Sequence, residues 1–493
     1  MKARNALNAA LLLTGLSGCA AGPDFMQAKA PDVPRYTRAA QPTQTGSAAG
    51  VAQSFSAGAK ISADWWRLFQ SPALDSLVKE ALASNLTLEA ARARLTQAQE
   101  VLEADYGALY PQLTGSLGAQ RQRTPAVRFG TMASSTIFNL YTGSVGVSYA
   151  LDFFGYSRRT LEREQANLEN QRMQLRAAQL TLTANVINAA FLRASLAAQI
   201  EATQGIIRTQ QSQQSLVGRQ YQAGLVPYSD VLSLQSQLAA SEATLPSLQQ
   251  RLSQASHLLA TYLGRPPAMA DLPEIRLADF HLPAALPLSL PSELVRQRPD
   301  ILAAEAQLKA ANAQVGVATA ALYPRFTLNA SYGQNSLKLA SLFDSANSLW
   351  TLAANLSQPL FDGGTLRAQK RQAEAAYREA LANYKQTLIT SFAQVADVLR
   401  ALENDADSLR IQQQSAQYAS HASNLVNLRY KAGKASYLDL LSARRQEQQT
   451  RIALVQAQAQ RYQDSAALFT ALGGGWWQNP EVADKAAFML QSY

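Results

Sequence analysis

Two short segments of the chain share one pattern of residues at a constant offset. Residues 221–232 read YQAGLVPYSDVL, and residues 430–441 read YKAGKASYLDLL. Tyr, Ala, Gly, Tyr, Asp and Leu recur at the same spacing, and the offset is 209 residues, since 430 − 221 and 439 − 230 give the same value. An internal repeat of this length predicts that the chain is a duplicated structural unit.

Each segment lies between two long stretches that are rich in Ala, Leu and Gln and poor in Gly and Pro, a composition typical of helices. We therefore expect each segment to form the tip of a helical hairpin. Gly224 and Gly433 supply the backbone freedom that ends the first helix of each hairpin, and Ser436 and Asp439 fit a capping box that begins the next helix. The incoming helices, each roughly 90–100 Å long at 1.5 Å per residue, are expected at residues 157–219 and 365–428.

At four places the residue period changes from helical to alternating. Apolar residues alternate with small or polar ones in residues 113–120, 144–151, 325–332 and 350–357. Alternation with period two predicts β-strands. An apolar face opposite a polar face suits lipid on one side and water on the other, and soluble antiparallel sheets alternate as well. The connecting loops are expected at residues 121–142 and 333–349.

Four short strands cannot close a transmembrane barrel alone, because the smallest such barrels have eight strands. Open sheet edges do not occur in lipid. If these strands span a membrane, several copies of the chain must share one barrel, and we expect an obligate oligomer. The sequence has no run of eighteen apolar residues, so we expect no membrane-spanning helix.

The N-terminus has the order of a secretory leader, with two basic residues, a short apolar run and small residues before a cysteine. The sequence Leu-Ser-Gly-Cys at residues 16–19 resembles a bacterial lipobox, the alternative being an ordinary leader with a chance cysteine. We expect Cys19 to carry an S-diacylglycerol and an N-acyl chain, which together anchor a protein durably. Ala20, rather than an aspartate, follows the cysteine, which favours the outer membrane.

Other function classes find little support in the sequence. The formal net charge of +9 is spread along the chain rather than clustered beside aromatic residues, so a basic surface explains it better than a nucleic-acid partner. The histidines His257, His281 and His421 lack metal-ligand spacing, and we find no Walker loop, nucleophile elbow or His-Glu-x-x-His motif. We expect neither an enzyme nor a metal site.

These features predict a mostly α-helical fold with a small transmembrane β part. The expected organisation is a signal peptide at residues 1–18, a lipidated extended tether at 19–63, a first repeat at 64–263 with its tip at 218–230, a Pro-rich linker at 264–292, a second repeat at 293–475 with its tip at 429–439, and a C-terminal tail at 476–493.

The lipobox, the duplicated helix–strand–strand–helix unit, the Tyr-x-Ala-Gly tips, LFDGG at residues 360–364 and RPDI at 298–301 together resemble the TolC-like outer membrane factor family. The match is to its lipoprotein branch, which serves multidrug efflux, and covers the mature chain to about Trp477. The resemblance implies a homotrimer that shares a twelve-stranded barrel in the outer membrane, continued by a long helical barrel across the periplasm.

The resemblance also implies a passive exit duct for drugs or other small toxic compounds. A periplasmic membrane-fusion adaptor would join the tips to an inner-membrane pump of the resistance-nodulation-division type. Two alternatives stay open at this point. One is a lipid-anchored periplasmic coiled-coil adaptor or scaffold without a pore, and the other is the same duct serving protein or metal-ion export.

In the family, the tips close the entrance. By resemblance, Asp439 matches an acid of a charged ring, Leu438 lines the constriction, and Tyr430 on the inner tip would contact Ser229 and Asp230 on the outer tip. An aspartate at the third position of a helix also stabilises its cap without any further role. Capping and gating are therefore two alternatives for Asp439.

The sequence departs from the family pattern one helical turn beyond this acid. Ser442 stands where many members carry a second acid, and Ala435 stands where some carry an arginine that links the two tips. We therefore expect the closed tip to be held more weakly, or more by packing.

Overall fold

The computed structural model describes residues 20–29, 33–38, 41–48, 51–125 and 135–478. The predicted signal peptide, Cys19 and residues 479–493 of the predicted tail lie outside these ranges. Within them the helices are α1 (Pro72–Ser84), α2 (Leu86–Gly107), α3 (Tyr156–Gln222), α4 (Tyr228–Tyr262), α5 (Pro291–Leu294), α6 (Pro299–Ala320), α7 (Thr365–Lys431) and α8 (Tyr437–Ala471). The strands are β1 (Ser54–Ala57), β2 (Gln112–Thr124), β3 (Thr136–Leu151), β4 (Ala285–Leu288), β5 (Arg325–Ser336) and β6 (Ser348–Ser357).

The two halves of the chain contain the same succession of elements. Helices α2 and α6 have 22 residues each, α3 and α7 have 67 each, and α4 and α8 have 35 each. The starts of α3 and α7 differ by 209 (365 − 156), as do those of α4 and α8 (437 − 228). The predicted duplication and the mostly helical fold with a small β part are confirmed, and both long helices end three residues later than predicted.

Contacts divide the chain into two compact units. The first comprises the described residues up to Ala28, Arg94–Gln171 and Ala303–Tyr384, and the second comprises Lys29–Ala93, Arg172–Leu302 and the chain from Lys385 onward. The strands β2, β3, β5 and β6 belong to the first unit, and both hairpin tips belong to the second. The long helices α3 and α7 contribute residues to both units.

In the first unit, the sheet has the order β2-β3-β5-β6 and is antiparallel throughout. The register places residues of all four strands in rows, and side chains within one row share a face. One row contains Leu113, Val147, Ala330 and Leu352, and the next row on the other face contains Thr114, Gly146, Ser331 and Thr351. The predicted separation of an apolar face from a polar face therefore continues across the whole sheet.

The strands are longer than the sequence pattern predicted. β2 continues to Thr124 and β3 begins at Thr136, so the loop predicted at residues 121–142 is wrong at both ends. Backbone pairing continues through Arg123 and Ile137. Alternation of apolar residues stops near residue 120, whereas the hydrogen-bonded ladder does not need apolar side chains to continue.

One predicted helix is divided. The helical composition of residues 72–109 predicts one continuous helix, but Asn85 has an extended backbone between α1 and α2. Its Oδ1 accepts hydrogen bonds from the backbone N–H groups of Thr87 (2.9 Å) and Leu88 (3.1 Å), while its Nδ2 donates to the carbonyl of Tyr262 (2.9 Å). The asparagine thus caps α2 and ties the break to the end of α4.

The predicted tether is held against the folded chain along much of its described length. In the second unit, the fully buried guanidinium of Arg461 donates to the carbonyl oxygens of Ala48 (3.1 Å) and Val51 (3.0 Å). Burial lowers the pKa of this group, and the backbone carbonyls replace its lost hydration. β1 also pairs in parallel with β4, inside the predicted Pro-rich linker. Composition without an apolar period concealed these backbone-based contacts.

Aromatic side chains form the centre of the second unit's core. Trp65 stacks on Phe469 with ring centroids 5.1 Å apart, and Phe69 contacts Phe191 edge to face at 5.1 Å. Beside this core, Asp464 is buried near Asp405, and burial together with that neighbouring carboxyl raises the pKa of Asp464 to about 8. Burial beside a second carboxyl thus favours the protonated form of Asp464 over the carboxylate.

Helix α3 contains an 18-residue window apolar enough to cross a membrane by length and composition, contrary to the expectation from the missing apolar run. However, 61% of that window is buried inside the protein. A buried position is typical of the core helix of a folded unit, so the window is weak evidence for a membrane span.

Candidate functional site at the hairpin tips

Both long helices end in the same turn. The N–H of Gly224 donates to the carbonyl of Tyr221 (2.9 Å), and the N–H of the next residue, Leu225, reaches back to Gln220 (2.9 Å). In the second hairpin, Gly433 and Lys434 form the equivalent bonds to Tyr430 (3.0 Å) and Arg429 (2.8 Å). The φ angles of Gly224 and Gly433 are +75° and +69°, a left-handed conformation that favours glycine.

The returning helices begin differently. At α8, Ser436 and Asp439 form the predicted capping box, in which the N–H of Asp439 donates to Ser436 Oγ (3.1 Å) and the N–H of Ser436 donates to Asp439 Oδ2 (2.9 Å). At α4, the cap residue is Pro227, and no side chain supplies a cap hydrogen bond. Asp230, the counterpart of Asp439, is thus not held by a cap.

Hydrogen bonding fixes the charge state of Asp439. The hydroxyl of Ser436 donates to Asp439 Oδ2 (2.7 Å), and together with the Ser436 backbone N–H it holds the pKa of this exposed carboxyl below its usual range. The side chain is therefore a carboxylate at neutral pH. This geometry satisfies the capping alternative directly and leaves the charge available for a second role.

A small apolar cluster joins the two tips. Its buried members come from α3, α4 and α8, and Tyr430 and Val226 pack against it. Tyr430 and Tyr437 meet edge to face with centroids 5.9 Å apart, and Tyr437 is only 5% exposed. The second tip thus places two tyrosines against the first hairpin. The buried members of this tip cluster are Val217, Val231, Leu234, Tyr437 and Leu441.

The hydrogen bond of Tyr430 differs from the predicted contact with Ser229 and Asp230. Its hydroxyl donates to Gln220 Oε1 at 3.0 Å. The Asp230 carboxylate acts on this tyrosine electrostatically, since burial first and the negative charge of Asp230 second raise the pKa of Tyr430. The pKa of Tyr437 is also raised, by burial first, by the neighbouring Tyr430 second and by the negative charge of Asp230 third.

The hydroxyl of Tyr437 has no hydrogen-bond partner within the described residues. A buried hydroxyl without a partner costs free energy, of the order of 1–3 kcal/mol. Removing this hydroxyl should therefore cost little or no stability.

The remaining predicted residues lie on exposed surface. Leu438 is 63% exposed, and Asp439, Ser442 and Ser229 are exposed as well. The assignment of Leu438 to a constriction, and that of Asp439 to an acidic ring, stay predictions.

The sequence did not single out Gln220 or Tyr437 as partners across the tips. Gln220 corresponds to Arg429 in the second repeat, because 429 − 209 = 220. A difference between otherwise matching tips was the available signal. Among the described residues, no group of three or more His, Cys, Asp or Glu side chains could hold a metal ion.

Comparison with known proteins gives matches to both repeats. A model of the family described as outer membrane efflux protein matches residues 77–265 and 290–474. The pyoverdine export outer membrane protein OpmQ of Pseudomonas putida is 34% identical over 421 residues, which are 84% of this chain and 88% of that protein. The toluene efflux pump outer membrane protein TtgC of Pseudomonas putida is 28% identical over 475 residues, 96% of each chain.

A solved structure shows the same fold. The outer-membrane channel OprN superposes with a TM-score of 0.84 at 28% sequence identity, and the match covers 93% of this chain and 100% of that one.

Proposed function

This chain belongs to the outer membrane efflux protein family, and from that premise we propose that it forms a passive trimeric duct whose cargo is a small organic compound. The chain is the outer membrane channel of a tripartite efflux system, with a periplasmic helical part. Channels of this kind are trimeric and work with adaptor and pump partners. The observation that carries this function is the match of the family model to both repeats.

The proposed cargo class rests on the relatives' names. OpmQ is named for the export of pyoverdine, and TtgC is named for the efflux of toluene. Both are small organic compounds. Energy for transport comes from the pump, so the duct itself requires no catalytic residue.

The finer assembly is also part of the proposal. Among the described residues, the edge strands of the four-stranded sheet, β2 and β6, are each paired on one side only. Pairing β6 of one chain with β2 of the next in a trimer gives a closed barrel of twelve strands, which leaves no open edge in lipid. The tips would engage a membrane-fusion adaptor and a pump of the resistance-nodulation-division type. Cys19 would carry the diacylglycerol and the N-acyl chain.

For the tips we propose a closed resting state. The tip cluster and the Tyr430–Gln220 hydrogen bond hold the two hairpins of one chain together. Three copies of Asp439 around a narrow water-filled axis would attract cations and repel one another. Leu438 would narrow the same axis, while Ser442 and Ser229 would add polar surface without charge.

The decisive experiment is planar-bilayer conductance of the detergent-extracted protein, comparing wild type with Asp230→Ala/Asp439→Ala. We expect a nearly silent wild type and a variant with large, long-lived openings, because Asp439→Ala removes the carboxylate that caps the start of α8, from which Tyr437 packs into the tip cluster. If neither protein conducts although trimers are present, the duct is contradicted and the scaffold alternative is favoured. If both conduct alike, the duct stands and the tip acids do not close it.

Two further measurements test the lipid anchor and the class of cargo independently. Cys19→Ala should abolish labelling by radioactive palmitate without abolishing trimers, and unchanged labelling would contradict the lipid anchor. Deleting the gene should raise the accumulation of a fluorescent dye in cells. A deletion strain that accumulates copper or silver instead, with unchanged dye, would assign the duct to metal ions.

A further inference from the structure

A hollow lies on the apolar face of the sheet in the first unit. Its volume is about 560 Å³, and Leu117, Val145, Tyr332 and Phe343 are among the side chains that line it. Gly115 and Gly143 belong to the same face, and their missing side chains leave the hollow open. The hollow therefore results from glycines inside strands, where packing alone would favour larger residues.

The wall of the hollow is formed in part by the loop between β5 and β6. Leu342 in this loop is buried and lies against the Gly143 position, where its Cδ2 would be 3.9 Å from an added Cβ. Phe343 follows it and is 80% exposed, and Leu117 on β2 is 85% exposed. Two large apolar side chains thus flank the cavity with most of their surface uncovered.

The hollow faces the environment rather than the duct interior. The opposite face of the same strands presents Thr114, Ser148, Asn329 and Thr351 around a separate concavity of about 230 Å³. In an outer membrane channel, the polar face meets water and the apolar face meets lipid. A void in contact with lipid loses dispersion contacts on one side unless a hydrocarbon chain enters it.

Positive charge lies beyond the apolar band on the same face. Arg121 and Arg123 lie on the same face of β2 as Leu117, because they follow it by four and six residues. The Nε of Arg123 donates to Ser135 Oγ at 2.7 Å. Arg121 lies four residues beyond Leu117, about 14 Å at 3.4 Å per residue. That separation is comparable to the length of a fatty acyl chain.

The loop adds a further cation, since Lys338 is exposed. Among the described residues of the ranges 112–125, 135–151 and 325–357, Asp344 is the only acidic one. The end of the sheet at which β2 connects to β3 and β5 connects to β6 is therefore cationic next to an apolar hollow. The opposite ends of these strands join the helices, and since the helical part is periplasmic, the cationic end faces the outer leaflet.

We propose that this surface binds a phosphorylated, acylated lipid of the outer leaflet. One acyl chain fills the hollow beside Phe343, and the phosphate lies against Arg121 and Arg123. Charge-assisted hydrogen bonds from guanidinium to phosphate are strong, and the hollow fixes the chain that carries the phosphate. The inference rests on the membrane placement of the sheet and is independent of the cargo.

Native mass spectrometry of the full-length, detergent-extracted trimer tests the proposal. The probes are a bisphosphorylated hexa-acyl glycolipid and the same lipid without phosphates. Arg121→Gln/Arg123→Gln should weaken binding of the phosphorylated probe by roughly thirtyfold, at about a fivefold loss for each arginine. Its matched control is Arg371→Gln/Arg378→Gln, which removes the same charge from exposed positions on α7 in the same unit.

A second pair of variants tests the hollow. An added Cβ at Gly115 meets no atom within 4 Å, so Gly115→Val fills part of the hollow without a clash at Cβ. Binding of the phosphorylated probe should fall roughly fourfold, which is the effect of losing one buried methylene group. The control is Gly146→Val on the polar face, where an added Cβ makes ordinary contacts at 3.5 and 3.8 Å.

The outcomes are distinct. Losses in the two test variants, with unchanged controls and intact trimers, support the lipid site. Equal binding of the phosphorylated and dephosphorylated probes overturns it, because the arginines would then have no role. Equal losses in test and control variants also overturn it, because the effect would follow stability and not the surface. The duct proposal is unaffected by either result.

Discussion

The two hairpin tips carry the same residues at six matching positions and use them differently. Tyr437 is 5% exposed, whereas its counterpart Tyr228 is 52% exposed. Asp439 is held in a capping box, whereas Asp230 has no cap partner and instead affects the two tyrosines of the other tip. The first tip thus provides the surface, and the second tip provides the side chains that pack on it.

A single substitution between the repeats explains why the two acids differ. Ser436 corresponds to Pro227, because 436 − 209 = 227. Proline fits the start of a helix but has no hydroxyl to bond the acid three residues later. Both repeats thus form the same turn, because the turn needs only its glycine. The roles of Asp230 and Asp439 differ, because they depend on the residue at the cap.

The largest effect expected from this comparison is on packing. Tyr437→Ala should destabilise the joined tips by about 3–5 kcal/mol, because it empties a buried aromatic site. The matched variant Tyr228→Ala should change stability by less than about 1 kcal/mol, as for an exposed position. Hydrogen–deuterium exchange of residues 217–234 and 430–441 in the detergent-extracted trimer measures both. Equal exchange in the two variants would refute the asymmetry of the tips.

Much of this site was accessible from sequence. The repeat offset located both turns, the positive-φ glycines and the Ser436–Asp439 box, because these depend on residues close together in the chain. Which tyrosine is buried did not follow, because Tyr228 and Tyr437 occupy identical local patterns. The burial of each tyrosine depends on contacts between hairpins more than 200 residues apart, such as the hydrogen bond from Tyr430 to Gln220.

In the fold, too, the local features could be predicted from the sequence and the long-range contacts could not. Helix lengths and strand alternation came from local period, and the two faces of the sheet followed from it. The contacts of Arg461 with Ala48 and Val51 did not, because backbone carbonyls carry no sequence signal. The pairing of β1 with β4 was missed for the same reason, since it joins four-residue segments across the first repeat.

The second comparison is between the hydroxyl groups of Tyr430 and Tyr437. Tyr430→Phe loses the hydrogen bond to Gln220 and leaves its amide oxygen unpaired, which should cost about 1 kcal/mol. Tyr437→Phe removes a buried hydroxyl that has no partner in the described part of the chain and should be neutral or slightly stabilising. If the tips close the duct, bilayer conductance should rise in the first variant and not in the second. A rise in Tyr437→Phe alone would mean that its hydroxyl gains a partner in the assembled closed state.

Exchange of the cap residue should produce a smaller change. Pro227→Ser introduces a hydroxyl three residues before Asp230 and should create the box that Ser436 forms in the other tip, worth about 0.5–1 kcal/mol to the start of α4. Once bonded in the cap, Asp230 should act less on Tyr430. Spectrophotometric titration of the tyrosines would detect this as a lower pKa of Tyr430. An unchanged tyrosine titration would show that the cap does not control the acid.

The smallest effect is expected from mild acid. Hydrogen bonds from Ser436 lower the pKa of Asp439, so the folded tip binds its proton less readily than the unfolded chain. The stabilisation by this carboxylate is therefore complete above the ordinary value of about 3.8 and is lost only as the pH falls through the lower, folded value. Conductance of the wild type should consequently be the same at pH 7.5 and pH 5.0. If the wild type opens within this interval and Asp439→Asn opens as well, another group titrates at the closed entrance. If the wild type opens and Asp439→Asn does not, assembly raises the pKa of Asp439 above the value set by its cap.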